Sequence, residues 1–260
     1  RMGGLRSTSN QFFLRLTARR SSQMIAISSF VKKALADILS VSENLIDVVY
    51  HGGGVVEEAQ SRGWSADESE RTGGIFFVST LYPHKNADQL IRAYAMLRKR
   101  RSDVPPLTIA GGDTDGESPT EEQGTERERL AGLAFRLGVE DQVRFPGRIS
   151  DDELMEYLGT EQLMVFPSSL EGFGIPALEA MQAGLPLIAS SRTSIPEVVG
   201  DGGITVDPED VEAMAGRIEH ALFDEDARER LVQAGRERGR QFSWKKTAEQ
   251  TLTILDEVAK

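Results

Sequence analysis

The sequence predicts an α/β fold with a doubly wound parallel sheet, because three of its features agree. From residue 75 onward, short apolar segments of strand length alternate with segments whose apolar residues recur at helical spacing. The strand segments are apolar throughout, which indicates strands covered by helices on both faces. Glycine, serine or basic residues follow nearly every strand, as expected for loops gathered at one edge of such a sheet.

The predicted elements form a small first group and a longer regular series. The first group has a helix at 11–22, a strand at 24–28, a helix at 30–39 and a strand at 46–50. Three consecutive glycines at 52–54 then indicate a turn or hinge, and the polar, acidic residues 57–74 indicate an exposed linker.

The regular series carries most of the apolar residues. Its strands are predicted at 75–80, 107–110, 142–145, 162–166, 186–189 and 204–206. Its helices are predicted at 86–101, 130–137, 150–158, 175–183, 211–222, 225–240 and 243–259, with an acidic, glycine-rich loop at 113–125. Strands and helices in this order are typical of a parallel sheet.

Composition and charge narrow the classes of function. The chain has 41 acidic and 30 basic residues, a net charge of −11 that disfavours nucleic-acid binding. It has no cysteine, and its three histidines are scattered, so we expect no Cys- or His-based metal site. No apolar run approaches the length of a membrane span. Residues 1–36 are basic without a single acid, which makes them a candidate for contact with anionic lipid or another domain.

The most informative segment is 171–179, Glu-Gly-Phe-Gly-Ile-Pro-Ala-Leu-Glu, which links a predicted strand to a helix. Gly172 and Gly174 let the backbone approach a ligand, and Pro176 suits a first helical turn. The N–H groups at such a helix start favour anionic oxygens. Glu179, about one turn further, suits a diol such as a ribose. Acids that merely complement the helix dipole are the alternative.

Lys85 is the second candidate, because it follows a strand and lies where a helix starts. A cation there does not complement the helix dipole, so an anionic partner such as a phosphate would explain its position. A solvated lysine is the ordinary alternative. His84 beside it is either a further donor or an exposed side chain. Together with the other loops at this edge, Lys85 predicts a phosphate-bearing ligand.

These segments closely resemble the retaining glycosyltransferases of family 4, also called group 1, whose GT-B architecture has two Rossmann-like domains. Glu171 and Glu179 form the family's Glu-x7-Glu motif. Residues 78–86 resemble its phosphate-binding stretch, and residues 195–203 resemble another stretch around the donor site. The similarity covers essentially residues 10–260.

The resemblance implies a role for each matching residue. Lys85 would bind the donor diphosphate and Glu171 would contact the transferred sugar, so these two are the implied catalytic residues, while Glu179 would hold the ribose hydroxyls. The other implied donor contacts are Gly111, Arg148 and Ile149 (the last two lining the base pocket), Gly172, Phe173, and Gly174 with Ile175, which offer N–H groups to the diphosphate. No metal is implied, because the lysine and the helix dipole take its place.

One departure from the family pattern concerns the diphosphate. The family usually has an arginine a few residues before the lysine, whereas this region reads Ser79-Thr80. Family members with this variant carry the stretch Pro-Arg-Lys-Asn around the lysine. In this chain His84 stands where that stretch has its arginine. The resemblance therefore implies a diphosphate whose charge is less fully countered.

The resemblance also implies the organisation of the chain. Residues 1–56 would be a remnant of the acceptor domain with a hinge, residues 57–74 a linker, and residues 75–242 the donor-binding domain. Residues 243–260 would be a helix that crosses back to the acceptor-domain side. Such a chain is an excerpt, a truncated product or one half of a split enzyme.

The predicted function is that of a hexosyltransferase. It would transfer sugar with retention from a nucleotide-diphosphate donor, GDP-mannose or a UDP-sugar, to an unidentified carbohydrate or lipid-linked acceptor. The alternatives are a non-catalytic nucleotide-sugar-binding subunit of a split transferase and a nucleotide-sugar epimerase. The expected setting is cytoplasmic with peripheral membrane contact, with a partner chain that supplies the acceptor domain.

Overall fold

The chain divides into two units. The computed structural model describes residues 14–18, 20–67, 71–112 and 125–259. One unit combines residues Arg1–Gly52 with Phe242–Lys260, and the other comprises Gly53–Gln241. The acidic loop predicted at 113–125 lies outside the described residues except for its last position.

The regular elements follow the predicted order. The strands are β1 (Met24–Ala26), β2 (Ile46–Val48), β3 (Ile75–Val78), β4 (Leu107–Ala110), β5 (Val143–Gly147), β6 (Leu163–Phe166), β7 (Leu187–Ser190) and β8 (Ile204–Val206). The helices are α1 (Ser29–Leu39), α2 (Val55–Ser61), α3 (Ala87–Arg100), α4 (Glu126–Leu137), α5 (Asp151–Thr160), α6 (Ile175–Ala183), α7 (Ile195–Val199), α8 (Val211–Phe223), α9 (Glu225–Gly239) and α10 (Trp244–Val258).

The larger unit is built on a parallel sheet. Within the described residues its strand order is β5-β4-β3-β6-β7-β8, and each neighbouring pair is parallel. The chain runs outward from β3 to β5, then returns beside β3 and runs to β8. This is the doubly wound, Rossmann-like order, so the predicted fold class is confirmed. Ligands of such sheets bind where the strand order reverses, which is here the edge beyond β3 and β6.

Both faces of the sheet are covered, as the continuous apolar strands predict. On one face Ile75 and Phe77 join a core with residues from α3, α4 and α8. On the other face the ring of Phe76 stacks on Tyr157 of α5, with ring centroids 4.9 Å apart. Because successive strand residues point to opposite faces, burying both faces requires an apolar residue at nearly every position.

The smaller unit has a parallel pair of strands and an uncovered helix. β1 pairs with β2, and α1 packs on them through Ala26, Ala36 and Ile46. The hydroxyl of Thr247 in α10 donates to the Tyr50 carbonyl oxygen at 2.7 Å. None of the residues of α10 is buried. Its apolar stripe, Trp244, Leu252, Leu255 and Val258, is 45–59% exposed.

The basic N-terminal segment is described from residue 14. Residues 14–18 and 20 are helical, whereas residues 11–13 and 19 of the helix predicted at 11–22 lie outside the described residues. Arg15 donates from Nε to the carbonyl oxygen of Ile38 in α1. Across the described ranges, no helix combines the length and apolar character needed to cross a membrane.

The first part of the predicted linker at 57–74 is helical instead. α2 begins at Val55, with Val56 fully buried and Glu57 and Glu58 in its first turn. Two acids in a first turn complement the helix dipole, and the buried valine anchors the helix on α6. The polar composition of this segment thus reflects the exposed face of a helix.

Three strands are shorter than predicted. The strands predicted at 24–28, 46–50 and 75–80 each end two residues before the predicted end.

Gly111, which follows β4, supplies a test of this packing. It has φ +140°, and a Cβ built on it would lie 1.7 Å from the carbonyl oxygen of Ser79. Gly138 also has a positive φ, +71°, but its Cβ would meet open space. We expect Gly138→Ala to lower the free energy of unfolding by about 1 kcal/mol and Gly111→Ala by about 2–4 kcal/mol. Urea unfolding measures both, and equal losses would contradict the close backbone approach.

Candidate functional site

The loops that follow β3 and β6 are held together by hydrogen bonds. The side-chain amide of Asn86 donates to the Pro167 carbonyl oxygen at 2.9 Å and to the Ser169 hydroxyl at 3.0 Å. The backbone N–H of Ser169 donates to the His84 carbonyl oxygen at 2.8 Å. Because β3 and β6 are neighbouring strands, the loops that follow them start side by side. These hydrogen bonds join the two loops and hold their side chains close to one another.

Lys85 and Glu171 form an ion pair across these two loops. The distance from Lys85 Nζ to Glu171 Oε1 is 2.5 Å, and each side chain is only 14% exposed. The ammonium also lies 5.9 Å from the centre of the Phe166 ring. The two residues predicted to be catalytic are therefore in direct contact. An anionic ligand that reaches Lys85 competes with the Glu171 carboxylate for this cation.

The backbone of Glu171 is held by two residues that sequence reasoning missed. Its N–H donates to the Thr193 hydroxyl at 3.2 Å, and its carbonyl oxygen accepts from the Ser194 hydroxyl at 3.0 Å. Thr193 has φ +58°, an uncommon backbone conformation for a β-branched residue. The resembling stretch begins only at Ile195, so nothing in the sequence singled these two residues out.

Helix α6 begins where the sequence predicts it to begin. Gly174 has φ +101°, and a Cβ built on it would lie 2.4 Å from Cδ1 of Ile195. Pro176 occupies the first turn. In a helix the N–H of the first residue, here Ile175, has no intrahelical acceptor and points out of the helix end. This arrangement offers a backbone N–H group and the positive end of the dipole to an anion.

Glu179 is buried inside α6, with 5% of the residue exposed. Its Oε1 accepts from the backbone N–H of Val55 at 3.0 Å. Burial raises the pKa of the Glu179 carboxyl from 4.5 to about 7, an effect that the Val55 N–H opposes and the negative charge of Asp151 strengthens. The carboxyl therefore titrates near neutral pH.

The residues predicted to contact the nucleoside base lie further along the same edge. The N–H of Gly111 donates to the Gly147 carbonyl oxygen at 2.7 Å, next to the exposed Arg148 and the half-buried Ile149. Neighbouring strands are about 4.8 Å apart, so the loops after β5 and β6, three strands apart, are separated by roughly 14 Å. The loop after β5 is therefore two strand spacings from the loop that carries Lys85 and three from the loop that carries Glu171.

Two further predicted donor contacts lie between Glu171 and α6. Gly172 is half-buried, and Phe173 is 3% exposed. The aromatic ring of Phe173 thus belongs to the interior of the larger unit. We infer that a ligand at this position meets the backbone of Phe173 rather than its ring.

The surroundings of His84 disfavour the positively charged form of its imidazole. Burial and the nearby charge of Lys85 lower the pKa of its imidazole below 6.5. The ring stacks on Tyr82, with centroids 5.3 Å apart. In the described part of the chain, no group of three or more His, Cys, Asp or Glu side chains is arranged to hold a metal ion.

Comparison with known proteins identifies the family. The profile of the glycosyl transferases group 1 matches residues 61–238, more than half of the chain. The chain therefore belongs to the group 1 glycosyl transferases.

Individual relatives agree with this assignment. O-antigen chain mannosyltransferase B of Escherichia coli is 35% identical over 180 residues, which cover 69% of this chain and 45% of that protein. An uncharacterized glycosyltransferase of Methanocaldococcus jannaschii, MJ1607, is 29% identical over 250 residues, which cover 92% of this chain and 61% of that protein. The chain thus spans about half the length of these two relatives.

A solved structure matches the fold. The Anabaena protein Alr3699/HepE, crystallised with UDP and glucose, superposes with a TM-score of 0.77 at 22% identity. The match covers 96% of this chain and 67% of the Anabaena chain. The match therefore extends over both units and agrees with the fold described above.

The buried Glu179 carboxyl predicts a specific dependence of stability on pH. Its pKa is raised in the folded state, so its contribution to stability is complete below pH 4.5 and is lost as the pH rises to about 7. Glu179→Gln cannot titrate but keeps an acceptor for the Val55 N–H. We expect the free energy of unfolding of Glu179→Gln minus that of the unmodified chain to increase between pH 4.5 and about pH 7 and to stay constant at higher pH. Urea unfolding across the interval measures this, and parallel pH profiles would contradict it.

Proposed function

We propose that this chain binds the nucleotide-sugar donor of a retaining glycosyltransferase, which transfers a hexose to a carbohydrate or lipid-linked acceptor. The observation that carries the proposal is the desolvated Lys85–Glu171 ion pair in the loops beyond β3 and β6. The start of α6 follows one of these loops, and the buried Glu179 lies in that helix. A cation, an anion-binding helix start and a carboxylate suited to a diol match the parts of a nucleoside diphosphate sugar.

The diphosphate occupies Lys85 and the N–H groups at the start of α6. When it arrives, its oxygens replace the Glu171 carboxylate as the partner of the Lys85 ammonium. Glu171 is then free to hydrogen-bond the sugar that will be transferred. Negative charge develops on the diphosphate as its bond to the sugar breaks, and Lys85 stabilises that charge.

The nucleoside extends from the diphosphate toward β5. Glu179 accepts hydrogen bonds from the ribose hydroxyls, and Arg148 and Ile149 line the base pocket. The separation of roughly 14 Å between the loops after β5 and β6 suits an extended ligand, with its base at one end and its sugar at the other.

Transfer takes place on one face of the sugar. The bond from its anomeric carbon to the diphosphate breaks, and a bond to the acceptor oxygen forms on the same side. The proton of the acceptor hydroxyl passes to an oxygen of the leaving diphosphate, so the configuration is retained. Lys85 and the dipole of α6 take the place of a metal ion in this scheme.

GDP-mannose is the first donor to test, because the Escherichia coli relative is named as a mannosyltransferase. A UDP-sugar is the second, because the Anabaena structure contains UDP and glucose. The named relatives are transferases, which does not favour the epimerase alternative.

One alternative has an observation in its favour. The exposed apolar stripe of α10 suits contact with an acceptor domain, in the same protein or in a separate partner chain. If a partner chain supplies that domain, this chain is the donor-binding subunit of a split transferase. Contact of the basic N-terminal segment with anionic lipid remains a further proposal.

Calorimetric titration with GDP-mannose, UDP-glucose and ADP-glucose tests the proposed function. We expect saturable binding of one of these donors, with the same affinity before and after treatment with a chelator. Absence of binding to all three would contradict the proposal. Loss of binding on chelation would contradict the metal-independent role of Lys85.

A substitution of Lys85 separates a phosphate contact from a structural lysine. We expect Lys85→Ala to weaken binding of the nucleoside diphosphate by about 1.5–3 kcal/mol, the range for hydrogen bonds to charged groups, and to leave nucleoside binding nearly unchanged. Lys99→Ala, at an exposed position near the end of α3, is the control and should alter neither. Calorimetry provides the affinities, and equal losses for nucleoside and diphosphate would indicate a structural role.

The 260 residues by themselves should bind donor without transferring its sugar efficiently. Catalysis requires the acceptor to be held next to the donor, and the chain spans about half the length of its relatives. Radiolabelled donor with candidate acceptors measures transfer, and calorimetry on the same preparation measures binding. Efficient transfer by this chain would contradict the donor-binding-half interpretation.

A further inference from the structure

The carboxylate of Glu179 touches a segment that lies more than 120 residues earlier in the chain. Its Oε1 accepts from the Val55 N–H, and the sequence separation of this pair is 124 residues. A Cβ built on Gly54 would lie 2.2 Å from the same Oε1 and 3.1 Å from Cδ of Glu179. With the carboxylate in this position, the space beside it therefore accommodates a glycine at position 54 but no larger residue.

Gly54 also borders the start of α6. The Cβ built on it would lie 3.4 Å from Cγ2 of Ile175. Ile175 and Glu179 are four residues apart, so they lie on the same face of the helix. The backbone of Gly54 and Val55 therefore rests on the face of α6 that carries the carboxylate.

A second contact keeps this segment in place. The side-chain amide of Gln60, near the end of α2, donates to the Gln182 carbonyl oxygen at 2.7 Å. α2 is thereby attached to α6 at both of its ends, by Val55 at the first and Gln60 at the last. With α2 attached in this way, the Val55 N–H has a defined position beside the Glu179 carboxylate.

We propose that Gly54 and the backbone N–H of Val55 are positioning groups for the ribose of the donor, because they fix the orientation of the Glu179 carboxylate. This inference rests on the proposed function. A glutamate side chain has three rotatable torsions, and only some of its rotamers present the carboxylate to a diol. One oxygen held by Val55 leaves the other, with its lone pairs, for the ribose hydroxyls.

Substitution of Gly54 tests this without touching Glu179. In Gly54→Ala the new methyl group meets the end of a flexible side chain, so we expect the fold to persist while the carboxylate turns away. Gly53→Ala is the matched control, because its Cβ would meet Oε1 of Gln182, at 1.7 Å, rather than Glu179. Circular dichroism and urea unfolding establish that both variants are folded.

The measurement compares ribose with deoxyribose. The probes are GDP and 2′-deoxy-GDP, together with UDP and 2′-deoxy-UDP. We expect the unmodified chain to prefer one ribonucleotide over its deoxy form by about tenfold or more, as a charge-assisted hydrogen bond provides. Gly54→Ala and Glu179→Ala should bind the two forms equally, and Gly53→Ala should keep the preference.

The outcomes separate this inference from the proposed function. If Glu179→Ala loses the ribose preference while Gly54→Ala keeps it, the positioning role is overturned and the proposed function stands. Equal loss in Gly53→Ala and Gly54→Ala also overturns the positioning role. If the unmodified chain binds none of the four nucleotides, the proposed function fails and this inference fails with it.

A measurement on the unmodified chain covers the case in which Gly54→Ala does not fold. The amide proton resonance of Val55 should shift when the preferred ribonucleotide is added and shift much less with its deoxy form. An identical response to both forms would overturn the link between the Val55 N–H and the ribose.

Discussion

The close approach of Gly174 to Ile195 sets the geometry on which the site depends. A side chain at position 174 would meet Cδ1 of Ile195 at 2.4 Å, and the φ of +101° there favours glycine, so the close approach of the loops after β6 and β7 suits a glycine at this position. The contact lets Thr193 and Ser194 reach the backbone of Glu171. It also fixes where α6 begins, and hence how deep inside the helix Glu179 lies.

The two glutamates of the Glu-x7-Glu motif lie in different environments, although they are eight positions apart. Glu171 faces the Lys85 ammonium at 2.5 Å, and we propose that it gives up this partner when an anion arrives. Glu179 has no cation within the contacts described above; a backbone N–H holds it, and burial raises its pKa to about 7. Under the proposed function, a donor diphosphate would meet an ion pair, whereas a ribose would meet a carboxyl in a desolvated, oriented position. This difference suits the Lys85–Glu171 pair to a ligand phosphate that takes the place of Glu171, and it suits Glu179 to the recognition of a neutral diol.

Local patterns predicted much of this structure, and long-range contacts account for what they missed. The start of α6 and the placement of Lys85 after β3 follow from glycine, proline and strand periodicity within a few residues. The pairing of Val55 with Glu179 joins residues 124 positions apart, and no local pattern reports it. The glycines at 52–54 indicate a turn or hinge in the sequence, and the structure adds that position 54 leaves space for a carboxylate, which no local pattern reports. The positive φ of Thr193 has no signal in the sequence, because threonine seldom adopts it.

We propose that one edge of the sheet binds a nucleoside diphosphate through Lys85 at one end and Glu179 in the middle. A crystal structure of the chain with the nucleoside diphosphate that it binds most tightly tests this directly. We expect a phosphate oxygen within hydrogen-bonding distance of Lys85 Nζ, a Lys85–Glu171 distance longer than the present 2.5 Å, and ribose hydroxyls on the Glu179 carboxylate. A nucleotide bound elsewhere, with the Lys85–Glu171 pair unchanged, would contradict it.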